Sequence, residues 1–171
     1  MKKIVILFTL LFGLIVSAQT PTFSFSADKI QDTFFGCTFG DSLDVVLAKT
    51  GAEKDTLKKY VTIHNRHFGS IDWNAVIFGF DNKERFCLAL FIKQDSDKNE
   101  IKLAFSSVSS SLGLKYGDKK RFLSSSTDNS CIYLNANMDG KGVILMNEGN
   151  RLFLFYGDIN GFADLSGLQD F

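Results

Sequence analysis

The segment His64-Asn65-Arg66-His67 holds both histidines of the chain and is where the sequence most invites a metal site. Side chains alternate along a strand, so an odd separation sends His64 and His67 to opposite faces. A zinc site needs at least three protein ligands, and no third ligand is obvious nearby. We therefore predict no metal at this segment.

A catalytic set is equally hard to assemble from the sequence. A serine nucleophile needs a base and an orienting acid, and no Gly-x-Ser-x-Gly elbow accompanies the many serines. Cys87 and Cys131 lie inside apolar runs, where a thiol is usually inert. Cys37 completes the set of three cysteines, whose separations match no metal-ligand pattern. The sequence thus leans against an enzyme and predicts no cofactor.

A polar surface is predicted on the first hairpin. If Arg66 pairs with Asp72, alternation places a mostly polar set on one outer face: Tyr60, Thr62, His64, Arg66, Asp72 and Asn74. Arg66 and His64 could then bind an anion or a polar ligand. The same residues also fit an ordinary solvated face with a cross-strand Arg–Asp pair. Both interpretations stay open at this point.

The last three strands predict a second surface, which is apolar. One face gathers a core set, namely Ile132, Leu134, Val143, Leu145, Leu152 and Leu154. The opposite face gathers Tyr133, Ile144, Met146, Phe153 and Phe155. A single layer of helices cannot cover both faces, and a monomer rarely exposes so large an apolar patch. Either the chain itself covers this face, or a protein partner or a second copy does, since aromatics and Met favour interface cores.

The elements that position these surfaces follow from turn and cap signals. Asp41-Ser42 and Gly51 bracket one helix, and Asp97 with Glu100 begins a second helix that Gly113 closes. Strands are predicted at 57–66, 71–80, 85–93, 131–138, 142–147 and 151–157, with a loop over 115–129. This order predicts an α+β domain at 19–171. It would consist of two helix-plus-antiparallel-three-strand-meander repeats, about 34–94 and 95–158, with the helices packed on one sheet face.

Three stretches carry a resemblance. They are Gly36 with the Phe-Gly-Asp-Ser-Leu-Asp-Val run at 39–45, Leu-Lys-Tyr-Gly at 114–117, and Leu-Phe-Tyr-Gly-Asp at 154–158. They resemble uncharacterised small exported proteins of Bacteroidetes. The doubled helix-plus-three-strand plan is similar to the beta-lactamase-inhibitor-protein-like architecture. The resemblance implies no activity and transfers no functional residue.

The beginning of the sequence predicts export. Lys2 and Lys3 precede an apolar run that ends in Val16-Ser17-Ala18, the small-residue pattern that signal peptidase cleaves. We therefore expect residues 1–18 to be a signal peptide and the mature chain to be periplasmic or extracellular. No later apolar run approaches the length of a membrane span, so we expect no stable membrane insertion after cleavage. Basic and acidic residues balance at 19 each, which predicts no nucleic-acid partner.

Two functions are consistent with these patterns. The first is a secreted or periplasmic non-catalytic binding module that recognises a protein partner through a sheet face. The alternative is a small-ligand carrier or weak hydrolase that uses the polar patch around His64 and Arg66.

Overall fold

The computed structural model describes residues 29–52, 60–117, 122–135 and 140–158. The predicted signal peptide at 1–18 lies outside these ranges. The helices are α1 (Leu43–Thr50) and α2 (Lys98–Leu112), followed by one π-helical turn, Gly113–Gly117. The strands are β1 (Thr33–Phe34), β2 (Cys37–Thr38), β3 (Tyr60–Phe68), β4 (Ile71–Phe80), β5 (Phe86–Gln94), β6 (Phe122–Ser126), β7 (Ser130–Asn135), β8 (Lys141–Glu148) and β9 (Arg151–Asp158).

Seven of the strands form one antiparallel sheet in the order β3-β4-β5-β9-β8-β7-β6, and β1 and β2 form a separate hairpin. The predicted α+β plan of two helix-plus-three-strand repeats is therefore wrong. The two meanders join through β5 and β9 into one sheet, and the second meander has four strands. In the described ranges the two α-helices contribute only 8 and 15 residues, so the architecture is nearer to all-β.

α1 begins and ends at its predicted cap residues, and α2 begins at its predicted cap. Gly113 does not close the second helix, because it keeps helical backbone at φ −58° and the chain continues as a π-helical turn to Gly117. Ser42 has extended backbone before α1, and Gly51 ends it at φ +67°, in the left-handed region that glycine adopts without steric cost. At α2, the carboxylate of Asp97 accepts a hydrogen bond from the backbone N–H of Asn99 at 2.8 Å. This bond satisfies one of the amides that the first helical turn leaves without a partner.

One face of the seven-stranded sheet, called here the first face, carries the larger core. The two helices and the β1–β2 hairpin pack on it through Val46, Ile101 and Phe34. Phe34 lies 5.6 Å from Phe91 between ring centroids, and Phe91 stacks on Phe68 at 4.6 Å. Aromatic burial of this kind supplies much of the energy that holds the β1–β2 hairpin to the sheet.

The β3–β4 hairpin changes the face to which its residues point partway along. Val61 and Ile63 pack in the first-face core. Phe68 packs there too, although it lies an odd number of positions after Ile63 and strict alternation would place it on the other face. Asn65 lies between them at φ +52°, outside the strand region. This local kink exchanges the two faces of the hairpin beyond position 65.

Candidate functional site

The second face of the sheet is the candidate functional surface, and the strand register divides it into three parallel rows. The inner row contains Tyr60, Gly79, Leu88, Gly157, Gly142 and Leu134. The middle row contains Thr62, Ile77, Leu90, Phe155, Ile144 and Ile132. The outer row contains His64, Ala75, Ile92, Phe153, Met146 and Ser130.

Burial falls from the inner rows to the outer row. Phe155 and Ile77 in the middle row are 0% and 1% exposed, and Leu88 in the inner row is 4% exposed. Phe153 and Met146 belong to the outer row, two positions along their strands from the middle row, and they are only half-buried. The second face therefore has a closed end and an end that water reaches.

Polar groups border the water-accessible end. Beyond the outer row, Arg151 lies between Gln94 and Glu148 in the register. On the β3–β4 hairpin, the Nδ1 atom of His67 lies 2.7 Å from the Oδ1 atom of Asp72, and both side chains are exposed. A half-buried apolar row with a polar border is the usual composition of a protein–protein interface.

The predicted polar patch is wrong as a single surface. Arg66 lies opposite Trp73 rather than Asp72, and Trp73 packs in the first-face core. His64 lies opposite Ala75, in a row of the second face. Directly opposite residues of an antiparallel pair share a face, so His64 and Arg66 point to different sides of the sheet.

The remaining residues of that patch are also dispersed. Tyr60 packs against the apolar cluster of the second face. Asp72 pairs with His67, and the side-chain oxygen of Asn74 accepts a hydrogen bond from the backbone N–H of Gln94 at 2.7 Å. The physical reason is a two-residue turn at 69–70, which shifts the register by one residue from the predicted four-residue loop.

The predicted apolar set is partly correct. Met146, Phe153 and Phe155 share the second face with Ile144, as the alternation predicts. Tyr133 does not, because it lies opposite Val143 and packs in the first-face core, while Ile132 takes its place on the second face. The sequence signal for this position is its pairing partner Val143, which alternation predicts to be core.

A polar depression of about 280 Å³ lies beside the hairpin kink. Asp72 and Asn74 line it together with Asn65, Lys93 and Asp95. Several of these groups are already engaged within the protein, because Asn74 accepts from Gln94 and Asp95 accepts from the backbone N–H of Asp97 at 3.0 Å. Part of the polar lining is therefore already committed to contacts within the protein.

The thiols and carboxylates add no reactive centre to this surface. Burial raises the pKa of the Cys37 and Cys131 thiols, which keeps them protonated in the first-face core. Cys87 packs at the edge of the second-face cluster and donates to the carbonyl oxygen of Gly79 at 3.7 Å. Among the described residues, no three His, Cys, Asp or Glu side chains are placed to hold a metal ion.

Two further tests give negative findings. Within the described ranges, neither helix has the length and apolar character needed to cross a membrane. A comparison with protein families, curated proteins and solved structures finds no match for this chain.

Proposed function

We propose that this protein is an exported, non-catalytic binding module that recognises a protein partner through the water-accessible end of its second sheet face. The observation that carries the proposal is the outer row, where Ile92, Phe153 and Met146 lie side by side and remain half-buried. These side chains would complete their burial against a partner.

The chemistry of the row favours a protein over a small ligand. An aromatic ring and a thioether give large, adaptable contact area on a surface without a deep cavity. The border of Gln94, Arg151 and Glu148 supplies hydrogen-bonding and charged groups at the rim, which set orientation and partner choice more than affinity.

The alternative of a carrier or weak hydrolase around His64 and Arg66 has no supporting geometry. The two side chains point to opposite sides of the sheet, so they cannot contact one small ligand together. No observation favours a second candidate function.

The experiment is a capture assay with a matched pair of variants. The double variant Phe153→Ser, Met146→Ser removes the half-buried apolar row and leaves the fully buried Phe155 in place. The control is Leu103→Ser, which removes an apolar side chain that is 65% exposed on α2. Each protein is immobilised and exposed to the envelope and medium fractions of its own cells.

We expect the wild type and the Leu103→Ser control to retain the same partner. The double variant should bind it at least about tenfold more weakly, because interface energy concentrates in a few central apolar side chains. Circular dichroism establishes that the double variant is folded. Full retention of the partner by a folded double variant would refute the proposal. Sedimentation equilibrium of the purified chain identifies the case in which the partner is a second copy.

A further inference from the structure

A second cavity, of about 140 Å³, lies on the first face of the sheet, between the β3–β4 turn and the C-terminal half of α2. Its floor is made by Trp73, Leu154 and Tyr156, which are 1%, 2% and 3% exposed. Four apolar side chains wall it and two partly exposed polar residues complete it: Phe68, Ile71, Val108, Leu112, Gln31 and Lys115. A concave apolar space with a few polar groups is the usual composition of a small-molecule site.

The hydroxyl group of Tyr156 gives this cavity its chemistry. Within the described ranges it forms no hydrogen bond, whereas the hydroxyl of nearby Tyr116 accepts one from the backbone N–H of Gln31 at 3.3 Å. The Tyr156 hydroxyl is also not sealed off, because Asn147 Oδ1 is the fully enclosed side-chain atom without a partner among the described residues. Buried hydroxyls nearly always have a partner, since leaving one without costs free energy. The Tyr156 hydroxyl can therefore serve a group that enters the cavity.

This hydroxyl acts as a donor. Burial raises the pKa of Tyr156 well above its ordinary value of 10.0, and the nearby Tyr116 acts in the same direction. The phenol group therefore keeps its proton at neutral pH. It can donate that proton in a hydrogen bond to an oxygen atom of a ligand.

A positive charge lies at another point of the lining. Lys115 belongs to the π-helical turn Gly113–Gly117, a rare local geometry that is frequent at functional sites. Its Nζ atom donates to the Oε1 atom of Gln31 at 2.8 Å and lies 5.3 Å from the ring centroid of Tyr116, which holds the ammonium group in place. The described lining contains no Asp or Glu. The charge therefore favours an anionic group on the ligand.

The volume of the cavity limits the size of the ligand. A cavity of about 150 Å³ with apolar walls holds one benzene ring. The cavity on the first face is of the same size and so admits one six-membered ring with small substituents. The indole Nε1 of Trp73 donates to the carbonyl oxygen of Phe68 at 3.1 Å, which fixes a flat aromatic surface in the floor. Aromatic rings pack favourably on such a surface.

We propose that this cavity binds a single-ring aromatic carboxylate that carries a ring oxygen, of the hydroxybenzoate class. The ring packs against Trp73 and Leu154, the ring oxygen accepts a hydrogen bond from the Tyr156 hydroxyl, and the carboxylate lies beside Lys115. The site adds a small-molecule ligand to the binding module, away from the His64 region. It lies on the opposite side of the sheet from the outer row, so it does not depend on a protein partner.

The first test is calorimetric titration of the full chain, in the form that its cells accumulate, with 4-hydroxybenzoate. Saturable binding is expected, together with a change in the fluorescence of Trp73, the single tryptophan of the chain. Benzoate lacks the ring oxygen and phenol lacks the carboxylate, so each should bind about fivefold more weakly or worse. Absence of saturable binding, or equal affinity for the three compounds, would overturn the proposal.

The variant Tyr156→Phe tests the hydroxyl without changing the shape of the cavity. It should weaken 4-hydroxybenzoate binding about fivefold, because one hydrogen bond is lost, and leave benzoate binding unchanged. The matched control Tyr133→Phe removes a hydroxyl from the same core outside the described lining and should change neither affinity. Unchanged binding of 4-hydroxybenzoate by Tyr156→Phe contradicts the proposal.

Two further variants test the charge and the space. Lys115→Gln should weaken both acids about fivefold and leave phenol binding unchanged, whereas Lys102→Gln, an exposed position on α2, should have no effect. Val108→Phe places a ring in the cavity and should abolish binding of 4-hydroxybenzoate, with circular dichroism showing that the variant is folded. A folded Val108→Phe protein that still binds the acid would place the ligand elsewhere and overturn the proposal, as would an unchanged affinity in Lys115→Gln. The outer-row variant Phe153→Ser, Met146→Ser should bind the acid as the wild type does.

Discussion

The two faces of the seven-stranded sheet use alternate residues of the same strands but are built differently. The first face is covered by two helices and a hairpin and is dense in aromatic rings, with Phe34 in contact with five of them. The second face has one buried ring, Phe155, among aliphatic side chains at its closed end, and its outer row is only half-buried. The difference shows that alternation assigns residues to a face, whereas the layer laid over a face determines whether it is core or surface.

The largest expected effect tests whether the closed end is core. Phe91 on the first face and Phe155 on the second are both 0% exposed. Replacing either with Ala should lower the free energy of unfolding by about 3–5 kcal/mol, the usual cost of truncating a buried Phe. Urea denaturation of the two variants measures this. Phe153→Ala is the control and should cost clearly less, since that ring is half-buried. A cost below about 1 kcal/mol at Phe155 would show that the second face is not core.

A smaller effect is expected at Gly157, which lies within the inner row between Leu88 and Gly142. A Cβ atom on Gly157 would lie 2.5 Å from the carbonyl oxygen of Cys87 and 3.0 Å from the Cα atom of Leu88, and its φ is +142°. Backbone atoms of β5 cannot move aside as a side chain can, so Gly157→Ala should cost about 2–4 kcal/mol. Thermal and urea unfolding check this loss.

The matched control for this change is Gly149→Ala in the β8–β9 turn. Its φ is +67° but nothing lies within 4 Å of the added Cβ, so only the backbone cost of about 1 kcal/mol should appear. Equal losses at the two glycines would show that the close approach of β5 and β9 contributes nothing.

The third prediction concerns pH and acts on the first face alone. Burial raises the pKa of Tyr116 to about 12 from its ordinary value of 10.0, and burial also raises the pKa of Tyr156 and Tyr133. The unfolded state loses these protons first, so stability should fall as pH rises from about 10 to about 12, by about 2–3 kcal/mol from Tyr116. Urea unfolding across this range, with tyrosinate absorbance, measures the loss. The Tyr116→Phe variant should lose less stability over the same pH range. A variant whose stability falls as steeply as that of the wild type would contradict the role of Tyr116 in this loss.

The helices of this fold could be predicted because their signals are local. Ser42 and Gly51 bracket α1, and Asp97 caps α2, as the sequence indicates. Cap residues act through hydrogen bonds and backbone angles within one turn, so they place these three helix ends, whereas Gly113 takes helical angles and does not end the helical run.

Strand pairing could be predicted only in part. The Ser-rich end of β6, Ser124 to Ser126, is typical of a loop and predicts one, and only pairing with β7 makes it a strand. The register of the β3–β4 hairpin differs by one residue from the predicted register, because its turn is shorter than the sequence predicts. The kink at Asn65 then separated His64 from Arg66. A one-residue error in register exchanges the faces of a whole strand, which is why the polar patch was lost while most of the apolar set remained.

The location of β9 at the middle of the sheet has a consequence for how this protein is made. β9 is the last strand of the described chain, yet it alone links the β3–β5 meander to the β6–β8 meander. Until residues 151–158 have left the ribosome, each meander keeps a bare edge ready to hydrogen-bond with other chains. The sheet can close only after every strand from β3 to β9 has been made, so neither meander completes its pairing before the other is available.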